Sequence, residues 1–208
     1  MKPVQQARRG LLAGFAALVG QAFLPQSLKA APLTPEGFEG PFYPTPGMRV
    51  SDTDNDLVKI AGRVREAGGE IITLKGRITD HTGTPLSGLR IEIWQCDVNG
   101  KYLHPGDSRR LRHDQGFQGF GHDVTDDEGR YRFRTIKPTA YPGRTPHIHL
   151  KVLDGGRDIL STQLYIKDDP RNAGDFLYNQ MTAEEAALVS MVFDDELDQV
   201  EAVVNLVV

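Results

Sequence analysis

The chain has 208 residues, 39% hydrophobic and 25% charged, with a formal net charge of −4. That is enough chain for one domain with a real core, and the balance reads as soluble and globular rather than disordered. One cysteine, Cys96, rules out an intrachain disulfide, so stability must come from the core, a metal or association.

The first 31 residues differ in kind. A basic start is followed by an apolar stretch from Leu11 to Leu24 and small residues at Ala30 and Ala31, the layout of an export leader rather than a membrane span. Arg8-Arg9 directly before the apolar run points to the twin-arginine export machinery, with an ordinary Sec leader as the alternative. The expected destination is the periplasm or the outside of the cell. Cleavage near Ala30 or Ala31 leaves no ideal A-x-A, so the boundary is set to within a few residues. The leader carries Lys2, Arg8, Arg9 and Lys29 and no acid. Taking those four from the 24 basic residues leaves 20 against 28 acidic. An acidic domain without a basic stripe is a poor nucleic-acid binder.

Residues 32–70 open on a Pro-, Gly- and Asp-rich stretch, read as an extended arm and lead-in, with Phe42 and Tyr43 as its anchors. Residues 71–208 read as the domain itself. "EIITLKGRITD" alternates and ends at a Gly/Pro turn; "LRIEIWQCD" follows and ends at "VNGKY". "HDVTDDEGRYRFRTI" carries an acidic-glycine turn at Asp126–Gly129, a hairpin signal. "HIHLKVL" breaks at "DGGRD", and "ILSTQLYIK" ends at "DDPRN". Six or seven short strands at regular spacing predict an all-β sandwich. Thr182 and Glu185 form a capping-box pattern opening one helix along "TAEEAALVSMVFDDEL", and "VEAVVNLVV" is a closing strand.

The chemistry gathers at "YPGRTPHIHLKV". In a strand, residues i and i+2 share a face, so His147 and His149 stand side by side with Ile148 turned the other way. Such a pair is weak evidence alone. Tyr102, after the turn "VNGKY", and Tyr141, held between prolines in "KPTAYPGR", lie on loops that can reach the same rim. Two phenolates with two imidazoles suit a hard trivalent iron better than zinc or copper(I). Other residues offer less. His104 precedes Pro105 in a turn; His81, His113 and His122 sit in polar loops; Trp94 is a core or sheet-face residue; Cys96 is a small strand residue. Asp168-Asp169 is a turn before Pro170. No phosphate loop, serine-nucleophile motif or CxxC is visible.

The stretches "LKGRITDHTGTPLSGLRIEIWQCDVNGKY", "TDDEGRYRFRTIKPTAYPGRTPHIHLKV" and "EGPFYP" resemble the intradiol ring-cleaving catechol dioxygenases over roughly Glu39 to Pro170. The strand–turn–strand part speaks only for the fold, a prealbumin-like β-sandwich. The functional part is Tyr102, Tyr141, His147 and His149. The resemblance implies that these four bind one non-haem Fe(3+) per chain, Tyr141 and His147 as the axial pair, Tyr102 and His149 as the equatorial pair. It further implies a catechol-type, protocatechuate-like substrate and O2, a cis,cis-muconate-type diacid as product, and Tyr141 as a base once it leaves the metal. Arg144 matches the family's active-site arginine, and Gln163 a glutamine near the substrate and oxygen site; a surface ion pair and a cross-strand hydrogen bond are their plainer readings.

The link "PGRTP" between Tyr141 and His147 is shorter than in the familiar enzymes, and the helical amino-terminal domain of the catechol type is missing. Both leave the substrate open, along with a homo- or hetero-oligomer that completes the site. The competing reading is a non-catalytic exported module binding metal or an aromatic ligand; a weaker one is a copper or zinc protein using only the two histidines.

Overall fold

Alternation of apolar and polar side chains organises the chain. In the first strand, β1 (Ile71–Thr79), Ile72, Leu74 and Ile78 are buried while Arg77 faces solvent. β4 (Arg130–Ile136) alternates in the same way over most of its length, whereas β2 (Arg90–Trp94), β3 (Phe120–Val124), β5 (His147–Asp154) and β6 (Arg157–Ile166) include stretches buried on both faces. A computed structural model describes residues 30–194 and 199–208. The expected leader therefore lies outside the described residues except for Ala30 and Ala31.

With β7 (Ser190–Asp194), β8 (Glu201–Val203) and β9 (Leu206–Val207), the strands among the described residues are ordered β3–β2–β5–β6–β7–β8–β1–β4, and β9 also pairs β1. The sheet folds over so that its two halves share one core. Ile91, Ile93, Ile148, Leu150 and Leu164 from one half cluster with Ile72, Leu74, Phe133 and Ile136 from the other. Burying each such side chain contributes about 1.5–3 kcal/mol. Leu57 and Val58, from the lead-in, are wholly buried in the same cluster, so residues 32–70 are partly core and not only a surface arm.

Three expectations are corrected. The turn at Asp126–Gly129 is formed, with Gly129 N–H donating to Asp126 O at 2.9 Å, but it does not make a hairpin. β3 pairs with β2 and β4 with β1, because the apolar faces of the two strands are claimed by opposite halves of the sheet. The capping box at Thr182 and Glu185 is present, yet the helix α1 covers only Ala183–Leu188. Beyond it Val189 and Met191 are buried while Val192 is exposed. That is a strand period, and the run becomes β7 (Ser190–Asp194), parallel to β6 and antiparallel to β8. The closing strand is two, β8 (Glu201–Val203) and β9 (Leu206–Val207), both parallel to β1.

On β5, Ile148, Leu150 and Val152 enter the core, which turns His147, His149 and Lys151 to the opposite face. That face is also buried. A second apolar cluster of Trp94, Cys96, Tyr102 and Phe120 lies there, with Phe42, Tyr43 and Tyr141 packed against it. The fold thus places two imidazoles under a lid of loops and amino-terminal segment.

Candidate metal centre

The four rings singled out in the sequence form a closed circuit. Ring centroids are 4.8 Å apart for His147–His149, 5.5 Å for Tyr141–His147, 5.7 Å for Tyr102–Tyr141 and 6.1 Å for Tyr102–His149. The β5 period supplies the two histidines. Tyr102 follows a turn in which Asp97 Oδ1 accepts the N–H groups of Asn99 and Lys101 at 2.8 and 3.0 Å. Gly100, at φ +70°, lets that turn press on the other loop: a Cβ there would meet Ala140 O at 3.0 Å and Tyr141 Cβ at 3.5 Å. The loop carrying Tyr141 closes on itself, Arg144 N–H donating to Tyr141 O at 3.0 Å. The short "PGRTP" link is thus a single tight turn that keeps Arg144 beside the phenol.

Protonation states follow from burial. Burial, with the Arg144 charge nearby, pushes His147 down to about 4. Burial, with His147 and Arg144, pushes His149 well below the usual imidazole range. Both are neutral at pH 7. His147 Nδ1 lies 2.7 Å from Thr145 O. A carbonyl only accepts, so Nδ1 carries the proton and Nε2 presents a bare lone pair. That Nε2 stands 3.2 Å from His149 Nε2. Two nitrogens on one ion, bonded at about 2.1 Å and a right angle apart, would be roughly 3 Å from each other. Burial raises Tyr102 well above the usual phenol range. It also raises Tyr141, where Arg144 opposes it.

Two buried polar atoms of this cluster, Tyr102 Oη and His149 Nδ1, have no hydrogen-bond partner among the described residues. An orphaned phenol aimed among two neutral imidazoles and a second phenol is what a metal ion with oxygen and nitrogen ligands would satisfy. Among the described residues no group of three His, Cys, Asp or Glu side chains is placed to hold a metal, so an ion here must draw on the phenols. That donor set fits ferric iron.

Arg144 and Gln163 meet behind the rings. Arg144 Nη2 donates to Gln163 Oε1 at 2.5 Å and Nε to Asp175 Oδ2 at 2.8 Å. Gln163 is itself fixed, accepting from Tyr165 Oη at 3.1 Å and donating to Phe38 O at 2.5 Å. Its cross-strand partner is His149. Burial alone would raise Asp175. Its bonds from Tyr178 N, Arg144 and Thr145 N instead hold it below the usual carboxylate range, so it stays a counter-charge for Arg144.

Further residues of the site come from outside the set of four rings and the Arg144–Gln163 pair. Trp94 stacks on His149 at 4.8 Å and 9°, a pairing set by the β2–β5 register. Phe42 stacks on Tyr102 at 4.5 Å. Gly40, at φ +79°, would bring a Cβ within 3.3 Å of His149 Cε1. Tyr43 Oη donates to the buried Glu92 at 2.5 Å and ties this segment down. The "EGPFYP" stretch was the available signal for Gly40 and Phe42. Nothing local marked Trp94 or Asp175. His104 sits at the edge, its ring 5.8 Å from Phe42, and His122 lies on β3 rather than in a loop. Cys96 is buried, its thiol pushed up to about 11 mainly by burial, which makes it unreactive.

Comparison with known proteins places the chain in a family. A family model described as "Dioxygenase" matches residues 38–207. The protocatechuate 3,4-dioxygenase beta chain of Burkholderia cepacia is 41% identical over 143 residues, 64% of this chain and 60% of that one. The catechol 1,2-dioxygenase of Candida albicans is 34% identical over 124 residues, 50% of this chain and 39% of that one. The matches thus span 60% and 39% of the two relatives' lengths. Among solved structures, the dioxygenase domain of a dioxygenase–carbohydrate-binding fusion from Streptomyces sp. SirexAA-E superposes with a TM-score of 0.64 at 30% identity. That likeness covers 85% of this chain and 98% of the other. Matched over most of its length by the family model, the chain belongs to the intradiol dioxygenase family.

Proposed function

We propose that the protein is a non-haem ferric intradiol dioxygenase acting on a protocatechuate-like catechol. The reaction inserts both atoms of O2, breaks the bond between the two hydroxyl-bearing carbons, and gives a cis,cis-muconate-type diacid. The observation that carries this is the closed circuit of Tyr102, Tyr141, His147 and His149 with its orphaned phenol. Those four side chains would hold the iron, here on a prealbumin-like sandwich. A ferric ion bound there supplies Lewis acidity toward the catecholate and the redox route by which dioxygen attacks the ring.

The protein's own contributions follow from the geometry. Tyr141 is the less buried phenol and the one beside Arg144. It is therefore the group suited to take a proton from a substrate hydroxyl, while fully buried Tyr102 stays in place. Arg144, held by Asp175 and Gln163, offers fixed positive charge where negative charge develops on the substrate. Trp94, Phe42 and Gly40 keep water from His149 and Tyr102 and hold their rings in register. Export through the twin-arginine route, with residues 1–31 removed, completes the proposal and suits a metal protein folded before transport.

The test is turnover of protocatechuate and catechol under 18O2 by the iron-loaded protein, with mass analysis of the product. Two labels in a ring-opened diacid support the assignment. Iron uptake without any product points to the non-catalytic binding module instead.

A further inference from the structure

Asp107 and Arg109 lie outside every motif that pointed to the site, yet they join its two phenols. Asp107 is buried. Its Oδ2 accepts the backbone N–H of Tyr102 at 2.9 Å. The same carboxylate accepts Arg109 Nε at 2.9 Å and Nη2 at 2.5 Å, a two-point grip that fixes the guanidinium plane. Lys101 Nζ, 3.2 Å from Asp107 Oδ1, adds a second cation. Held this way, the guanidinium carbon stands 5.1 Å from the centroid of the Tyr141 ring, within reach of a cation–π interaction.

The third nitrogen makes the arrangement informative. Arg109 Nη1 is buried and has no hydrogen-bond partner among the described residues. An arginine serving only its loop would turn that nitrogen to water or to a carbonyl, since an unpaired buried donor costs stability. Here the clamp leaves it unpaired while the guanidinium stands over the Tyr141 ring.

We propose that Arg109 is a positioning residue for Tyr141: clamped by Asp107, it fixes the phenol ring and sets a permanent positive charge against its electrons. This deepens the tyrosinate–iron reading and rests on it. A positive charge beside an electron-rich ring lowers the energy of its filled orbitals. Transfer of an electron from that ring to a ferric ion then takes more energy, and removing the charge moves the absorption to longer wavelength. Among the described residues the clamp meets Tyr102 at its backbone N–H, so that phenol's share of the absorption stays in place.

The experiment compares visible and resonance Raman spectra of the iron-loaded wild type, Arg109→Met, Arg109→Gln and Arg109→Lys, with iron per chain measured in each. Expected is a shift of part of the band to longer wavelength in Arg109→Met and Arg109→Gln at undiminished iron content, reversed in part by Arg109→Lys. Glutamine keeps a donor for Asp107 and carries the comparison if the methionine variant does not fold. A wild-type band that both neutral variants leave unmoved overturns the role of Arg109 alone. A wild type that binds iron without any such band overturns the tyrosinate reading and this inference with it.

Discussion

Replacing Asp175 by asparagine tests the frame behind the four rings. The carboxylate is 1% exposed. Oδ2 accepts Arg144 Nε at 2.8 Å and Thr145 N at 2.9 Å, and Oδ1 accepts Leu177 N and Tyr178 N, each at 3.0 Å. An asparagine keeps one acceptor oxygen and turns an NH2 group toward two donors, so one pair of bonds is lost in either orientation. It also leaves the partly buried Arg144 without its counter-charge. Breaking a buried pair from one side costs about 3–5 kcal/mol. At roughly 2–4 °C per kcal/mol for a domain of this size, Tm should fall by about 6–20 °C. Thermal and urea melts of the metal-free protein at pH 7 read this directly. The pH dependence has a definite sign. The folded carboxyl is held below its unfolded value. Its stabilisation is therefore complete above an unfolded pKa of about 3.9 and is lost as pH falls through the folded value. The gap between wild type and Asp175→Asn should narrow only below about pH 4. A variant within about 1 kcal/mol of wild type at pH 7, or a gap that widens in acid, would refute the reasoning.

Two further substitutions probe the walls. Gly40→Ala puts a side chain at φ +79° and 3.3 Å from His149; it should cost about 1–2 kcal/mol in backbone strain and weaken iron binding. Calorimetric melting with and without iron checks both, and unchanged iron retention would remove Gly40 from the site. Trp94→Ala removes a fully buried indole stacked on His149 and should cost about 3–5 kcal/mol. Urea unfolding measures this, and near-neutral stability would contradict the packing described.

How much was legible beforehand follows from which relations are local. The i, i+2 period of β5 put His147 and His149 on one face, and the loops carrying Tyr102 and Tyr141 do reach them. Relations set by register or by distant loops were not visible. Trp94 meets His149 only because β2 pairs with β5 in one register, and no spacing in the sequence encodes that register. Asp175 reaches Arg144 from a 3-10 turn about thirty residues on, where its carboxylate looks like any turn acid. The sequence after Thr182 predicts a longer helix than Ala183–Leu188 because the start signal is strong, while the stop is only a change from helical to strand period at Val189. The Asp126–Gly129 turn showed that turn chemistry is local but the partner of each strand is not.

The most direct measurement of the central claim is the visible spectrum of the purified protein after ferric loading, before and after catechol is added without oxygen. If Tyr102 and Tyr141 bind iron as phenolates, one iron per chain brings a broad charge-transfer band that shifts when the catechol binds. A protein that takes up one iron per chain and stays colourless, with no response to catechol, would contradict the account.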